Sequence, residues 1–488
     1  MFPAVGITSW TDPSHWLALF LIWVFAQAAL APERFSRFVP AATPCALGGI
    51  RAWTCLIMLS YVLTSDLART ARLPREMLVS MGLMSMLHRL PIAFGDFLAS
   101  EAALRAFELF TIVALVLGAI GLFTRVTVPL AALSTLVYIG VFWHYAYFYH
   151  QCMMGIYVLC ALSLTPCGDG FSVDAWLARS RGRPVAPNEP AMVYGWSRYL
   201  CWIALAMPYQ LAGLSKLHSG GFFWWDPANL RGKIYGGMFE PGPLDESWAS
   251  ATLGAPDFFF AAIGLTTILF EITFAATLFS AHARRFLPIC AAGMHLGILT
   301  LQNFIFLDAF LLQAILWRDG ALINRITSIR ATSASDQFKR KPNPSYYSMV
   351  VFDAALVFIL GWIWTLEFYP VSTWKMFAGR GQGTVAVYHK VWADQASGAR
   401  APAPYEDCFP APSYNPFVRM PRYAFDERRT TISRQFFEAC AAELNREVAP
   451  DARTQAFEIE QWRWDFGENP NPPPYGEIVA KRTFRLPE

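Results

Sequence analysis

Four ionisable side chains lie where the sequence is otherwise apolar: His150, Lys216, Glu271 and His295. Ionisable groups at membrane depth are costly, so each is a functional candidate by default. A desolvated lysine can present its neutral amine, which makes Lys216 a candidate general base. His150 could orient or stabilise an oxyanion. By depth, Glu271 falls near the level of His295, which allows a Glu271–His295 pair, and a cavity opening outward could reach all four. Bland readings stand beside these. A lysine at a helix end is favoured by the macrodipole and can snorkel. His150 closes the aromatic run Trp143-His144-Tyr145-Ala146-Tyr147-Phe148-Tyr149, which suits a membrane-interface belt. Arg51 and Arg105 lie near span ends and read as anchors. Lys233 falls in an outer loop, where it carries no catalytic role. The eight histidines show no metal-ligand spacing, and Walker, HExxH, CxxC and nucleophile-elbow motifs are absent.

The elements that must hold these residues read as membrane helices. Hydrophobic residues make up 55% of the 488, and charged residues 15%. Of the 75 charged residues, 30 fall in the last 118, so a long apolar body precedes a polar tail. This excludes an ordinary soluble enzyme, a disordered chain and a small disulfide scaffold, and a net charge of +3 gives no footprint for nucleic acid. A bilayer core needs roughly 20 apolar residues per helix. Ten candidates meet or approach this: Trp16–Ala31, Ala46–Thr64, Ala102–Thr124, Val126–Phe148, Gln151–Thr165, Trp196–Lys216, Phe258–Phe279, Phe286–Asn303, Phe304–Trp317 and Ser348–Glu367. With the N-terminus outside, 15 Lys and Arg fall in inner loops and 6 in outer loops, as the positive-inside rule requires. Ala29-Leu30-Ala31 resembles a signal-peptidase site, but residues 1–15 lack Lys and Arg, which favours a retained helix.

The expected fold is therefore an all-α polytopic membrane protein of about ten transmembrane helices, with a small α+β domain at its C-terminal end. The divisions are an extra span and loop over 1–45, the main membrane domain over 46–317, a basic inner loop and last span over 318–370, and an outer-face domain over 371–488. In that domain Val385–Trp392 and Phe457–Phe466 read as strands, and Thr431–Glu447 as a helix. Cys408 and Cys440 could pair in an oxidising compartment or remain two buried thiols.

Several short motifs resemble the vitamin K-dependent γ-carboxylase family, including bacterial relatives that share the HTTM membrane domain. They are Tyr209-Gln210-Leu211-Ala212-Gly213-Leu214-Ser215-Lys216-Leu217 with Trp224 and Trp225 following, Tyr149-His150-Gln151 with Gly155, Phe171-Ser172-Val173-Asp174, Gly121-Leu122-Phe123-Thr124-Arg125 and Met294-His295. The likeness covers about residues 46 to 317. It assigns the family's catalytic lysine to Lys216, its supporting histidine to His150 and a further histidine to His295, with Tyr209 and Glu271 as cofactor-binding neighbours. Ser215 stands where the animal enzymes have a second lysine, the first span is extra, and no propeptide-binding region is legible in the short tail.

The resemblance implies an enzyme that oxygenates a reduced naphthoquinone, of vitamin K or menaquinol type, with O₂. The strong base so formed takes a γ-proton from a peptide glutamate, and the carbanion captures CO₂. No metal is expected. Partners would be membrane lipid, the quinol and a secreted or membrane peptide, in a bacterial inner membrane with both termini periplasmic. The alternatives are a non-carboxylating HTTM protein that binds or processes a partner polypeptide, and a membrane scaffold or transporter. A transporter should show inverted repeats, and none is visible.

Overall fold

The computed structural model describes residues 13–79, 82–89, 94–146, 150–244, 246–328, 344–372, 374–375, 378–379, 383–412, 417–469 and 475–486. The apolar body is helical. Its main helices are α1 (Pro13–Leu30), α2 (Pro44–Leu63), α3 (Glu101–Ile120), α4 (Thr124–Ala146), α5 (Met153–Ser163), α6 (Met192–Gly220), α7 (Pro227–Gly237), α8 (Asp257–Thr273), α9 (Ala283–Gln302), α10 (Leu307–Leu311) and α11 (Pro344–Ile363). Local chemistry sets their ends. Thr43 caps the backbone N–H of Ala46, and Pro44 opens α2 where a missing N–H costs nothing. Ser100 caps α3, and Gly121 ends it in the left-handed conformation.

Helix α6 is the axis of the body. Every residue from Val193 to Lys216 is buried, and the helix packs against α5, α8 and α11. A helix enclosed by protein rather than lipid can carry Arg198, Gln210, Ser215 and Lys216 on its surface, because neighbouring elements supply their partners.

The span count is lower than ten. Among the described residues four helices are long and apolar enough to cross a membrane: Pro44–Leu63, Glu101–Ile120, Thr124–Tyr145 and Ser345–Ile363. A fifth is added if His15–Leu30 and Pro32–Phe38, bent by 112°, form one broken span. Of the five expected spans that drop out, α6 and α9 have 29 and 20 residues but are not apolar enough, and the other three are short or broken. Helix α5 has only 11 residues. The stretch read as Phe304–Trp317 is broken into Leu307–Leu311 and Gln313–Leu316. The stretch read as Phe258–Phe279 breaks after Thr273 into α8 and Ala276–Phe279.

The body nevertheless has two distinct ends. At one, Ala42 bridges Ala191, Arg198 bonds the carbonyls of Asp319 and Pro40, and Arg284 pairs with Asp319. All of these lie in or beside the basic loops expected on the inner side. At the other end the tail docks. Glu443 pairs with Arg69 and Arg72, and the Asp66 amide bonds the Pro410 carbonyl.

The tail forms an antiparallel sheet in the order β2 (Arg400–Pro402), β1 (Val385–Gln395), β3 (Thr454–Asp465), β4 (Glu477–Arg485). Alternation of side chains gives it two faces. Val391, Ala393, Phe457 and Ile459 join the core that helix α12 (Thr430–Leu444) covers, with Phe437 against Phe457 and Phe484. Ala386, Tyr388 and Trp464 face α7, where Tyr235 packs on Trp464. Both strands and the helix expected from sequence are present, within a few residues of the expected ends.

Candidate functional site

A cavity of 650 Å³ lies where α6, α7, α8 and α9 converge. Lys216 and Tyr209 enter it from α6, Lys233 from α7, Glu271 from α8 and His295 from α9, while His150, Asp308 and Trp374 complete its wall. The rest of the lining is mostly apolar. Of the lining contributed by α8 and α9, Ala262, Thr266, Cys290 and Gly293 are exposed.

All five residues singled out from the sequence line this one cavity, but their pairing differs from the expectation. Lys216 Nζ donates to Glu271 Oε1 at 2.8 Å, and both side chains are buried. The partner of His295 is Tyr209, whose hydroxyl lies 2.5 Å from Nε2. Tyr209 also accepts from Gln313 at 2.8 Å. The expected Glu271–His295 pair is thus replaced by Lys216–Glu271 and Tyr209–His295.

The depth estimate failed for a physical reason. At 1.5 Å per residue, Glu271 lies about 20 Å along α8 from its start, whereas Lys216 is close to the end of α6. The two meet because α8 starts well beyond the end of α6. Its first turns lie beside α7, and a Cβ on Gly264 would meet Trp225 at 2.8 Å. Gly213 makes the contact between α6 and α8 close enough: a Cβ there would stand 2.8 Å from Glu271 Cβ and 2.7 Å from the Ile272 nitrogen.

His150 is buried, with Nε2 2.8 Å from the Ser372 hydroxyl and its ring 4.7 Å from that of Trp374. The start of the tail therefore forms part of the cavity wall. Sequence reading missed Trp374 because it lies beyond the last apolar stretch. It also passed over Asp308, which accepts from the Tyr61 hydroxyl and the Gly155 amide. The rule that selected Glu271, an acid inside an apolar stretch, selects Asp308 equally.

Lys233 is the main surprise. It is half-buried and lines the cavity. Its Nζ donates to the Gly379 carbonyl at 2.6 Å and lies 5.9 Å from the Trp224 ring centre. Lys216 Nζ lies 5.5 Å from the same centre. Helix α7 is outside the spans, and burial together with the Lys216 charge pushes the Lys233 amine down to about 8. Reading it as a plain surface charge was incorrect, because spacing alone does not show that a loop helix folds back over a cavity.

Among the buried polar atoms of cavity-lining residues with no hydrogen-bond partner among the described residues are Glu271 Oε2 and His295 Nδ1. Buried polar atoms are nearly always satisfied, so orphans in a cavity are the atoms a ligand would meet. No group of three or more His, Cys, Asp or Glu that could hold a metal occurs among the described residues.

Two of the short motifs lie elsewhere and join each other. The Asp174 carboxylate accepts from the Phe123 and Thr124 amides at 2.7 and 2.8 Å, and Ser172 caps its own helix. Arg51 is fully buried rather than a rim anchor, and bonds the carbonyls of Cys167 and Phe171 at 2.9 and 2.7 Å. These motifs hold the end of the bundle remote from the tail. In the tail, Cys408 and Cys440 are free buried thiols, and Cys408 Sγ lies 3.8 Å from the Cys440 carbonyl. Set against known proteins, the chain matches no protein-family model, no curated protein and no solved structure.

Proposed function

We propose that the chain is a membrane enzyme of γ-carboxylase-like type that oxidises a reduced naphthoquinone in the cavity and couples this to modification of a peptide at the tail end. The observation that carries the reading is the Lys216–Glu271 pair with its second carboxylate oxygen open, inside an apolar cavity of 650 Å³. A flat, apolar ring with ionisable hydroxyls fits such a site: the walls take the ring and the unpartnered Glu271 Oε2 takes a hydroxyl. The exposed lining residues Ala262, Thr266, Cys290 and Gly293 offer a lipid-soluble molecule a lateral approach between α8 and α9.

The residues would divide as follows. Glu271 Oε2 accepts from a ring hydroxyl and fixes the ring. Lys216 is the position the resemblance assigns to the base. As half of an ion pair, it accepts a proton only after passing its own to Glu271, so the pair acts as one acid–base unit. His150 and His295 border the same space, with Tyr209 and Ser372 setting their ring orientations. When bound, the naphthoquinol would supply the oxygen-dependent base that takes a peptide glutamate's γ-proton, and the resulting carbanion would capture CO₂. A bacterial inner membrane with the tail on the periplasmic side agrees with docking of the tail at the end opposite the basic loops. The test is purification in mild lipid, followed by mass spectrometry for retained quinone and by oxygen uptake with a reduced naphthoquinone. A scaffold would retain no quinone and consume no oxygen.

A further inference from the structure

We propose that Lys233 is a second proton acceptor of the cavity, taking the proton of a ligand's ring hydroxyl directly onto its amine while Lys216 stays bound to Glu271 as a cation. The inference rests on the quinol reading of the cavity and assigns a residue that the resemblance does not.

The geometry gives two amines and one adjacent carboxylate. Both nitrogens lie within 6 Å of the Trp224 ring centre, at 5.5 and 5.9 Å, and both residues line the cavity. Glu271 is taken by Lys216 at 2.8 Å. Lys233 has no ion pair among the described residues, and its hydrogen bond is to a neutral carbonyl, that of Gly379. A carbonyl accepts from an ammonium and, more weakly, from a neutral amine, so that bond can hold the nitrogen in place in either state. A second ammonium beside the first has no local anion to offset the repulsion.

The other charged groups around Lys233 are already engaged. On its own helix, Arg231 pairs with Asp257 of α8 at 2.6 Å. From α9, His295 is held by Tyr209. From β1, Lys390 lies 4.3 Å from the Trp462 ring centre and the Tyr388 hydroxyl bonds the Tyr475 carbonyl. The segment that supplies Gly379 carries Lys375, a further positive charge. With the amine at about 8, roughly a tenth of the molecules hold a neutral Lys233 at pH 7. An unperturbed lysine would offer only about one in a few thousand.

The step balances simply. The hydroxyl O–H bond breaks, its electron pair stays on oxygen, and a new N–H bond forms on Lys233. Nothing is oxidised or reduced. The Lys216 ammonium faces the negative charge that results. Lys233, half-exposed, can return the proton to water.

The experiment is trace labelling of the full chain in lipid nanodiscs with an amine-reactive anhydride from pH 6 to 11, read by peptide mass spectrometry beside an added free-lysine peptide. Lys233 should reach half its limiting reactivity near pH 8, well before the free peptide. In parallel, Lys233→Arg keeps the positive charge and cannot accept a proton. It should retain bound quinone and lose about 10²–10⁴ in quinol-dependent oxygen uptake. Lys233 titrating with the free peptide, or an arginine variant within a few-fold of the parent, overturns the proposal and leaves the Lys216–Glu271 unit as the base. A parent that takes up no oxygen overturns the quinol reading instead, and with it the catalytic role, while the labelling still reports the state of the amine.

Discussion

Lys216 and Lys233 approach one indole, that of Trp224, from two helices, and of the two only Lys216 has a carboxylate partner among the described residues. That asymmetry separates two groups of one residue type into an ion-paired cation and an unpaired amine. On the proposed reading, Lys216 acts with Glu271 as one unit and Lys233 is the further amine that takes a proton.

The Lys216–Glu271 pair is buried, so removing one partner strands the other. Lys216→Met and Glu271→Gln should each cost about 3–5 kcal/mol of stability in detergent. The double variant should lose clearly less than the sum, because neither charge is then left alone. Additive losses in thermal or denaturant unfolding would show that the two side chains do not interact. The corresponding cycle on Glu271 and His295 should be nearly additive, since each bonds a different partner.

Gly213 is the contact point of α6 and α8. Gly213→Ala would place a methyl group 2.7 Å from the Ile272 nitrogen and push Glu271 away from Lys216. Oxygen uptake should fall by about tenfold or more, as expected when a catalytic group is displaced by even 1 Å. Gly95, with nothing within 4 Å of its Cβ position, is the control, and Gly95→Ala should leave uptake unchanged. Equal behaviour of the two variants would remove the role given to close α6–α8 packing.

Of the five residues chosen from sequence, His150, Lys216, Glu271 and His295 came from one physical rule, the cost of an ionisable group in an apolar stretch, and Tyr209 came with the resemblance. The same rule covers Asp308. It does not reach Lys233 or Trp374, which come from a polar loop and from the tail and enter the cavity only through tertiary folding. The strands Val385–Gln395 and Thr454–Asp465 were legible because their alternation is strong. The number of spans was not, because hydropathy cannot tell a helix facing lipid from one enclosed by protein, as α6 is, or a continuous helix from one broken after Thr273 or after Leu311.

The sidedness of the body can be read with cysteine labelling. Ser397, exposed at the turn before β2, and Ser180, exposed beside the basic loop, lie at opposite ends. In oriented vesicles an impermeant maleimide should modify Ser397→Cys from the outer face and Ser180→Cys from the inner face alone. Labelling of both from one side would break the arrangement that puts the cavity at the outer end.

His389 should make the tail acid-sensitive. Burial, with Arg422 nearby, pushes its imidazole down to about 4 from an ordinary 6.5. Between those values the unfolded chain binds a proton that the folded chain does not, so stability should fall as pH drops from 6.5 towards 4. His389→Gln should flatten that part of the thermal-midpoint profile. An unchanged slope would place the acid sensitivity on other groups.

The most direct measurement is quinol-dependent oxygen uptake by the full chain in lipid nanodiscs, for the parent and for Lys216→Met. The parent should consume oxygen when given a reduced naphthoquinone and not with the oxidised form. The Lys216→Met chain should lose about 10²–10⁴ of that rate while still folding. A parent without uptake, or a Lys216→Met chain that turns over at the parent's rate, would contradict the assignment of this cavity to quinol chemistry.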